Sequence, residues 1–477
     1  MNELQRVWYI TSDEWRYIRR NKVAIFAIVL LILLTLTAVI SGAEYQRVVN
    51  DERVQYQSLA NHAFDAQPDR HPHRVAHFGH FLFRPLDPLA AFETGVDPYT
   101  GHTIFLEAHR QNSANFSDVR QSSLLVRFGQ LTPAFILQIL VPLLLIFVGH
   151  AIVSREKQSG TLRLLLSQGV RVRTFILGKF LALTGVALIS FLPASMALVW
   201  IGWSQSLSAP LIGMLALAYL IWLLIWVTVV MLASTLLLNG RDALLSLLTI
   251  WCVCVIIMPR IAPDIISKRI PLTSNIEINI AVERDFLQLG DSHNPDDPYF
   301  SDFKQKILDQ YKVGRVEDLP VNFKGLLMAE GERLSSELFN RYLAQNIEKQ
   351  QLQNHYLDQF SWASPILALR RLSMVATASD LRAFHHFLTQ AEDYRYQLMQ
   401  HLNELQTTEI NYQYDNDGSR IDHQHWQQFK SFEYTPFNSS DRIHNMRTPF
   451  CVLSIWFLLL FIILIVPANR YMGRQIR

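Results

Sequence analysis

Cysteine is almost absent from this 477-residue chain, which holds three, Cys252, Cys254 and Cys451. All three fall inside apolar runs, so its long polar segments have no disulfide available and must be held by packing. Cys252 and Cys254 stand two apart, which on a helix turns them to different faces and makes them a poor metal pair. No Gly-rich loop ending in Lys-Ser or Lys-Thr occurs, so the chain has no usual cradle for nucleotide phosphates. Nucleophile elbows and HExxH pairs are also missing, and no Ser-His-Asp or Cys-His set is supported; these absences argue against an enzyme. Charge is scarce as well. Asp, Glu, Lys and Arg make up 18% of residues and hydrophobic types 50%, whereas an ordinary globular domain carries about 25% charge. No nucleic-acid partner is expected.

Long uncharged runs are present instead. A hydrocarbon layer of about 30 Å needs about 20 helical residues, and six segments qualify: 23–42, 132–154, 180–203, 211–238, 243–259 and 448–469. The fifth is the shortest. The sequence therefore predicts an all-α membrane protein with six transmembrane helices. Lys and Arg collect in short loops on the cytoplasmic side. With the N-terminus inside, the segments 1–22, 155–179, 239–242 and 470–477 hold 15 basic and 5 acidic residues. The outside segments 43–131 and 260–447 hold 28 basic and 36 acidic residues. This asymmetry predicts both termini on the cytoplasmic side and a large extracytoplasmic domain. The small residues Ser41, Gly42 and Ala43 resemble a cleavage site, but a polar leader and a long apolar run before them favour an uncleaved span.

In the leader 1–22, Leu4, Val7, Trp8, Trp15 and Ile18 recur at helical spacing, as in a helix lying in the membrane interface. The segment 260–447 is helical in periodicity. One run extends from about Asn322 to Leu352; a second, capped by Ser379, carries Leu381, Phe384, Leu388, Ala391, Tyr394, Leu398, Leu402 and Leu405 along one side. The two pair most simply as a hairpin. Between them lies SWASPILALRRLSMVAT, more apolar than a solvated linker should be.

The cytoplasmic segment 155–179 contains a short helix. Ser159 suits its N-cap, Leu162, Leu165 and Leu166 share a face, and Gly169 suits the left-handed stop. On spacing alone this is equally the basic loop that topology demands of many polytopic proteins. The order Glu156, Ser159, Gly160, Thr161, Leu162, then Leu164, Leu165, Leu166 and Ser167, with Leu177, Gly178, Lys179 and Phe180 later, resembles the loop between the second and third spans of ABC-2 type transporter permeases. The six-span layout and the leader are similar to that family too. SPILALRRLSMVATASDLRAFHHFLTQAEDYR, from Ser364, and PLAAFETGVDPY, from Pro88, resemble a bacterial subgroup related to the permease of the copper-enzyme maturation system. The chain departs from the family in carrying Lys157 and Gln158 where a second acid usually precedes the glycine.

The resemblance implies a permease subunit of a bacterial exporter. Glu156, Gly160, Thr161, Leu162, Leu165 and Leu166 would couple it to a separate ATP-binding subunit, which would carry the ATP and Mg; this chain would need no cofactor. It also implies pairing with a second permease, identical or related. The second and fifth spans would line the path, with His150, Ser246 and Thr249 as candidates. A rival reading is a membrane-anchored signalling or assembly protein whose outer domain binds a partner.

The first outside segment holds seven of the sixteen histidines. His71, His73, His77 and His80 crowd the run DRHPHRVAHFGH, and His71 with His73 would share a face if that run is extended. Without cysteines or a fixed ligand spacing, the sequence favours a polar surface loop over a metal site. His385, His386 and Glu392, close together on the second long helix, are expected to be structural.

Overall fold

A computed structural model describes residues 2–111, 131–290, 294, 297–416 and 418–466. The predicted tail 470–477, the last residues of the sixth predicted span and positions 112–130 of the first outside segment lie outside the described residues.

In chain order the main elements are α1 (Glu3–Arg20), α2 (Lys22–Asp65), α3 (Pro72–Ala76), a hairpin of β1 (His80–Phe83) and β2 (Thr103–Leu106), and α4 (Pro133–Gln158), which loosens into a turn at 150–153. Next come α5 (Thr161–Ser167), α6 (Val172–Ser204), α7 (Ala209–Leu236), α8 (Gly240–Arg269), α9 (Asn275–Leu289) and α10 (Pro298–Tyr311). The chain continues through α11 (Phe323–Phe360), α12 (Pro365–Ala376), α13 (Leu381–Glu409) and α14 (Ser439–Ile465). The hairpin is antiparallel, with His80 opposite Leu106 and Phe83 opposite Thr103. The all-α membrane fold holds: α2, α4, α6, α7, α8 and α14 are each long and apolar enough to cross a bilayer.

α7 is the hub, with 67% of its most apolar stretch buried against 11% for α8. It packs on α6, α4 and α14. Two one-residue bulges, at Ile136–Leu140 in α4 and Cys252–Ile257 in α8, are π-helical. Such turns free carbonyls that a lipid environment cannot satisfy. Trp222 Nε1–H donates to Leu137 O (3.2 Å), Trp251 Nε1–H to Ile139 O (3.2 Å) and the Ser364 hydroxyl to Cys254 O (2.8 Å). Side chains of neighbouring elements thus close the gaps.

Several boundaries differ from the sequence reading. α2 does not end at Gly42 but runs on to Asp65 as one 44-residue helix. Its second half is polar, yet Arg53 donates to Arg84 O (2.7 Å) and Asn50 pairs with both backbone groups of Leu86, so contacts from the β-hairpin region replace an apolar stripe. The fifth span is the 30-residue α8, longer than its uncharged run, because the helix continues through Arg260 and Asp264. The apolar linker is α12, buried against α14 and α7. This explains its composition: it belongs to the spans' core. The hairpin of α11 and α13 is present. Its second helix is capped by Asp380, not Ser379, since the carboxylate accepts from Ala383 N–H (3.0 Å); Ser379 is fully buried and bonds to Thr377.

Candidate functional site

The segment after α4 is mounted on an ion cluster. Lys179, near the start of α6, lies 2.5 Å from Glu14 Oε2 and 2.8 Å from Glu156 Oε1. Arg155 donates to Glu14 (2.8 Å) and lies over the Tyr17 ring, 3.6 Å from its centroid. Glu14 and Lys179 are almost fully buried. Two carboxylates against two cations balance there, and each carboxylate meets a cation, the condition under which buried ions are tolerated. The cluster ties α1, α4 and α6 together.

Glu14 was missed in the sequence because it interrupts an apolar stripe. It sits four residues from Ile10 and four from Ile18, so helical geometry puts it on their face. α1 therefore docks on α6 through Ile10, Thr11, Glu14 and Ile18. Thr11 donates to Gly178 O (2.9 Å), and a Cβ on Gly178 would come within 2.7 Å of Ile10. Gly178 and Lys179 thus have separate jobs: one admits α1, the other holds it. Leu4 and Trp8, toward the N-terminal end of α1, remain exposed.

Glu156 faces inward, to Lys179 and to the Thr161 hydroxyl that donates to it. Ser159 does not cap α5, as expected from sequence; the N-cap is Gly160 at φ +77°, and the Ser159 hydroxyl bonds to Thr161 (2.8 Å). Gly169 stops the helix at φ +80°, as its type suggests. Leu162 is buried and Leu165 and Leu166 are half-buried against the core, while Leu164 is 58% exposed. Lys157 donates to Thr235 O and Leu237 O (3.3 Å), and Gln158 to Asn239 (3.0 Å). Lys157 and Gln158 therefore bind the last turn of α7 and the linker between α7 and α8. Val153 and Ser154 N–H groups both donate to Ser234 Oγ, 2.9 and 3.2 Å away. Gly160, Thr161, Arg163, Leu164 and Ser167 to Gly169 are exposed.

His150 stands in the turn after the apolar part of α4, half-buried, its Nδ1 3.0 Å from Phe147 O. Ser246 is half-buried on α8; Thr249 is exposed and its hydroxyl donates to Leu245 O (2.9 Å). Their hydroxyl and ring groups thus serve local helix carbonyls or none.

At the opposite end of the spans, Gln138 Nε2 donates to Glu93 (3.0 Å) and Tyr219 OH (2.9 Å), and Tyr219 shares a hydrogen bond with Ser373 (2.8 Å). Burial raises the Glu93 carboxyl above its usual range, opposed by the Gly95 N–H, Gln138 and Arg370. This junction joins α4, α7 and α12 to the extramembrane part.

The histidine-rich run is not extended. His71 is the N-cap of α3, accepting from His73 N–H (3.1 Å), and its Nε2 lies 2.9 Å from Asp415. His80 is buried in β1 between the rings of Phe64 and Tyr394. His71 and His80 are thus structural, and His71 does not share a face with His73. His73 and His77, one helical turn apart, converge with His109, a residue the sequence reading did not single out. His385 is half-buried, and His386 stacks on Phe437 with 4.2 Å between centroids, in keeping with structural roles.

Six apolar helices around a buried hub, with a helical extramembrane part, define a multi-pass α-helical membrane protein. Residues 275–435, from α9 to just before α14, match a family described as "Domain of unknown function (DUF3526)". That match covers the α11–α13 hairpin and α12 and leaves out all six apolar helices. No curated protein matches the chain.

Proposed function

We propose that this chain is the membrane-spanning subunit of a bacterial ABC-2 type exporter, moving its cargo with ATP hydrolysed by a separate subunit that holds ATP and Mg. In this reading the chain is no enzyme itself. It sits in the cytoplasmic membrane with both termini and α5 on the cytoplasmic side and the α11–α13 hairpin outside. It works as a pair, with a second copy or a related permease.

The observation that carries the reading is the mounting of α5. A seven-residue helix bounded by two left-handed glycines offers Arg163, Leu164 and Ser167 outward. Its inner side rests on the core through Leu162, and it is joined to α1 and α6 by the Glu14–Lys179–Glu156 cluster. A rigid short lever between two spans suits a push delivered by a separate motor, whose closing on ATP would tilt α4 and α6 together. α8, with its apolar Leu245, Leu248, Val253 and Ile256 exposed, suits contact with a second permease as well as with lipid.

The test is co-expression with the P-loop ATPase of the neighbouring reading frame and capture from detergent. Wild type is expected to retain the ATPase, and Leu164→Asp to retain at least tenfold less with an unchanged melting temperature. An ATPase absent from wild-type eluates, or captured equally by the variant, overturns the reading in favour of an anchored assembly protein.

A further inference from the structure

We propose that His73, His77 and His109 form a tris-imidazole site for one divalent first-row metal ion, zinc or copper(II). The site lies in the extramembrane part, away from the α5 segment, and does not rest on the transport reading.

Two elements distant in sequence bring the three rings together. His71 caps α3, whose proline at the first position fixes its start, and the helix sets His73 and His77 one turn apart on a single face. Their Nε2 atoms are 3.2 Å apart. Two nitrogens bound to one tetrahedral zinc at about 2.0–2.1 Å stand about 3.3 Å apart, so this edge already matches a metal's coordination shell. His109 comes from the tight turn closed by the Glu107–Arg110 bridge. One ring nitrogen from each of the three histidines lies within 4.8 Å of the other two, and the His109 ring centroid is 5.7 and 5.4 Å from those of His73 and His77.

Two further features distinguish this trio from a chance cluster. His109 holds φ +61°, a left-handed conformation that is unfavourable for a non-glycine residue and that concentrates at functional positions. It is also oriented by a buried carboxylate. Glu332, 1% exposed, accepts from His109 N–H (3.2 Å) and lies 3.4 Å from its Nδ1. A carboxylate on one imidazole nitrogen fixes the tautomer that presents the other to a metal, the usual outer partner of a ligating histidine. Glu332 is in turn held by Arg395 at 2.6 Å. Neutral imidazoles suit zinc and copper(II), with copper the tighter by the general order of affinities. His77 is exposed and the other two are half-buried, so an ion enters from solvent and a fourth position stays open to water or to a donor from a metal carrier.

The experiment uses the full chain in detergent, purified through a tag without histidine and stripped with chelator, then titrated calorimetrically with zinc. One equivalent is expected, with affinity at least tenfold weaker in His73→Ala, in His77→Ala and in His109→Asn, where asparagine tolerates the left-handed backbone. His423→Ala, in the separate exposed cluster with Asp69 and Asp422, is expected to bind as wild type. Unchanged affinity in the three variants, or loss in His423→Ala, overturns the proposal. Should the variants fail to fold by circular dichroism, the wild type loaded with one equivalent of copper(II) decides. Pulsed electron paramagnetic resonance should report three coordinated imidazoles, and a spectrum with one or none overturns the site.

Discussion

Arg395 is the most committed cation of the extramembrane part. Its guanidinium is 1% exposed and reaches Glu332 (2.6 Å), Glu392 (2.7 Å) and the Ser336 hydroxyl (2.7 Å). The sequence placed it at the end of a recognisable motif and gave no sign that its acids would come from two helices. Removing it leaves two buried carboxylates without their cation, which typically costs about 3–5 kcal/mol. Arg395→Ala is expected to lose stability on that scale in chemical denaturation. His80 titrates instead of pairing. Burial pushes its pKa down to about 4, against about 6.5 in an unfolded chain. Between those values the unfolded chain holds the extra proton, so stability is full above about pH 6.5 and falls as the pH drops toward 4. His102, lowered by burial and by Arg53 and Arg84, and His385, pushed down to about 4 by burial, act in the same direction. His80→Phe keeps the ring packing and is expected to flatten the acid-side slope in melts between pH 7 and pH 4.5.

At the level of single elements, α5 depends on its two glycines. A side chain at Gly160 would meet nothing within 4 Å, so any cost of substitution comes from φ +77° alone. Gly160→Ala is expected to destabilise α5 locally by about 1 kcal/mol. Hydrogen exchange of the amides from 163 to 168 should quicken roughly fivefold, with no change in global melting temperature. The same element shows where periodicity succeeds and fails. Leu162, Leu165 and Leu166 were readable as one face because helical spacing alone sets it. The role of Ser159 was not, because a glycine in the left-handed region took the cap position. α12 was flagged by composition but not located, since an apolar stretch does not say which core it enters. The uncharged run that marks the first span ends at Gly42, whereas the helix continues to Asp65, because its polar half is stabilised by side-chain bonds to the hairpin region, which carry no periodic signal.

At the scale of the whole molecule, the proposed orientation and pairing each make an expected outcome. Thr161→Cys should be labelled by a membrane-impermeant maleimide only after the cytoplasmic face is opened; labelling in intact cells would place α5 outside and remove any contact with a motor. In a chain whose three native cysteines are replaced by alanine, Leu248→Cys on the exposed side of α8 should form a cross-linked dimer in membranes. A strictly monomeric product would oppose pairing through α8.

The sequence by itself determined the class of the molecule. Six stretches without charge can satisfy their backbone in lipid in one way, as helices, and the periodicity of the α11 and α13 segments dictated a second, polar helical part. What the tertiary structure decided is which charged and titratable groups meet. Glu14 joins Lys179 across 165 positions, Arg395 joins Glu332 across 63, and His109 joins His73 and His77 across a strand pair. Burial of a charge or an imidazole depends on the neighbours that surround it in space, and a one-dimensional pattern records the face a residue occupies but not what stands opposite.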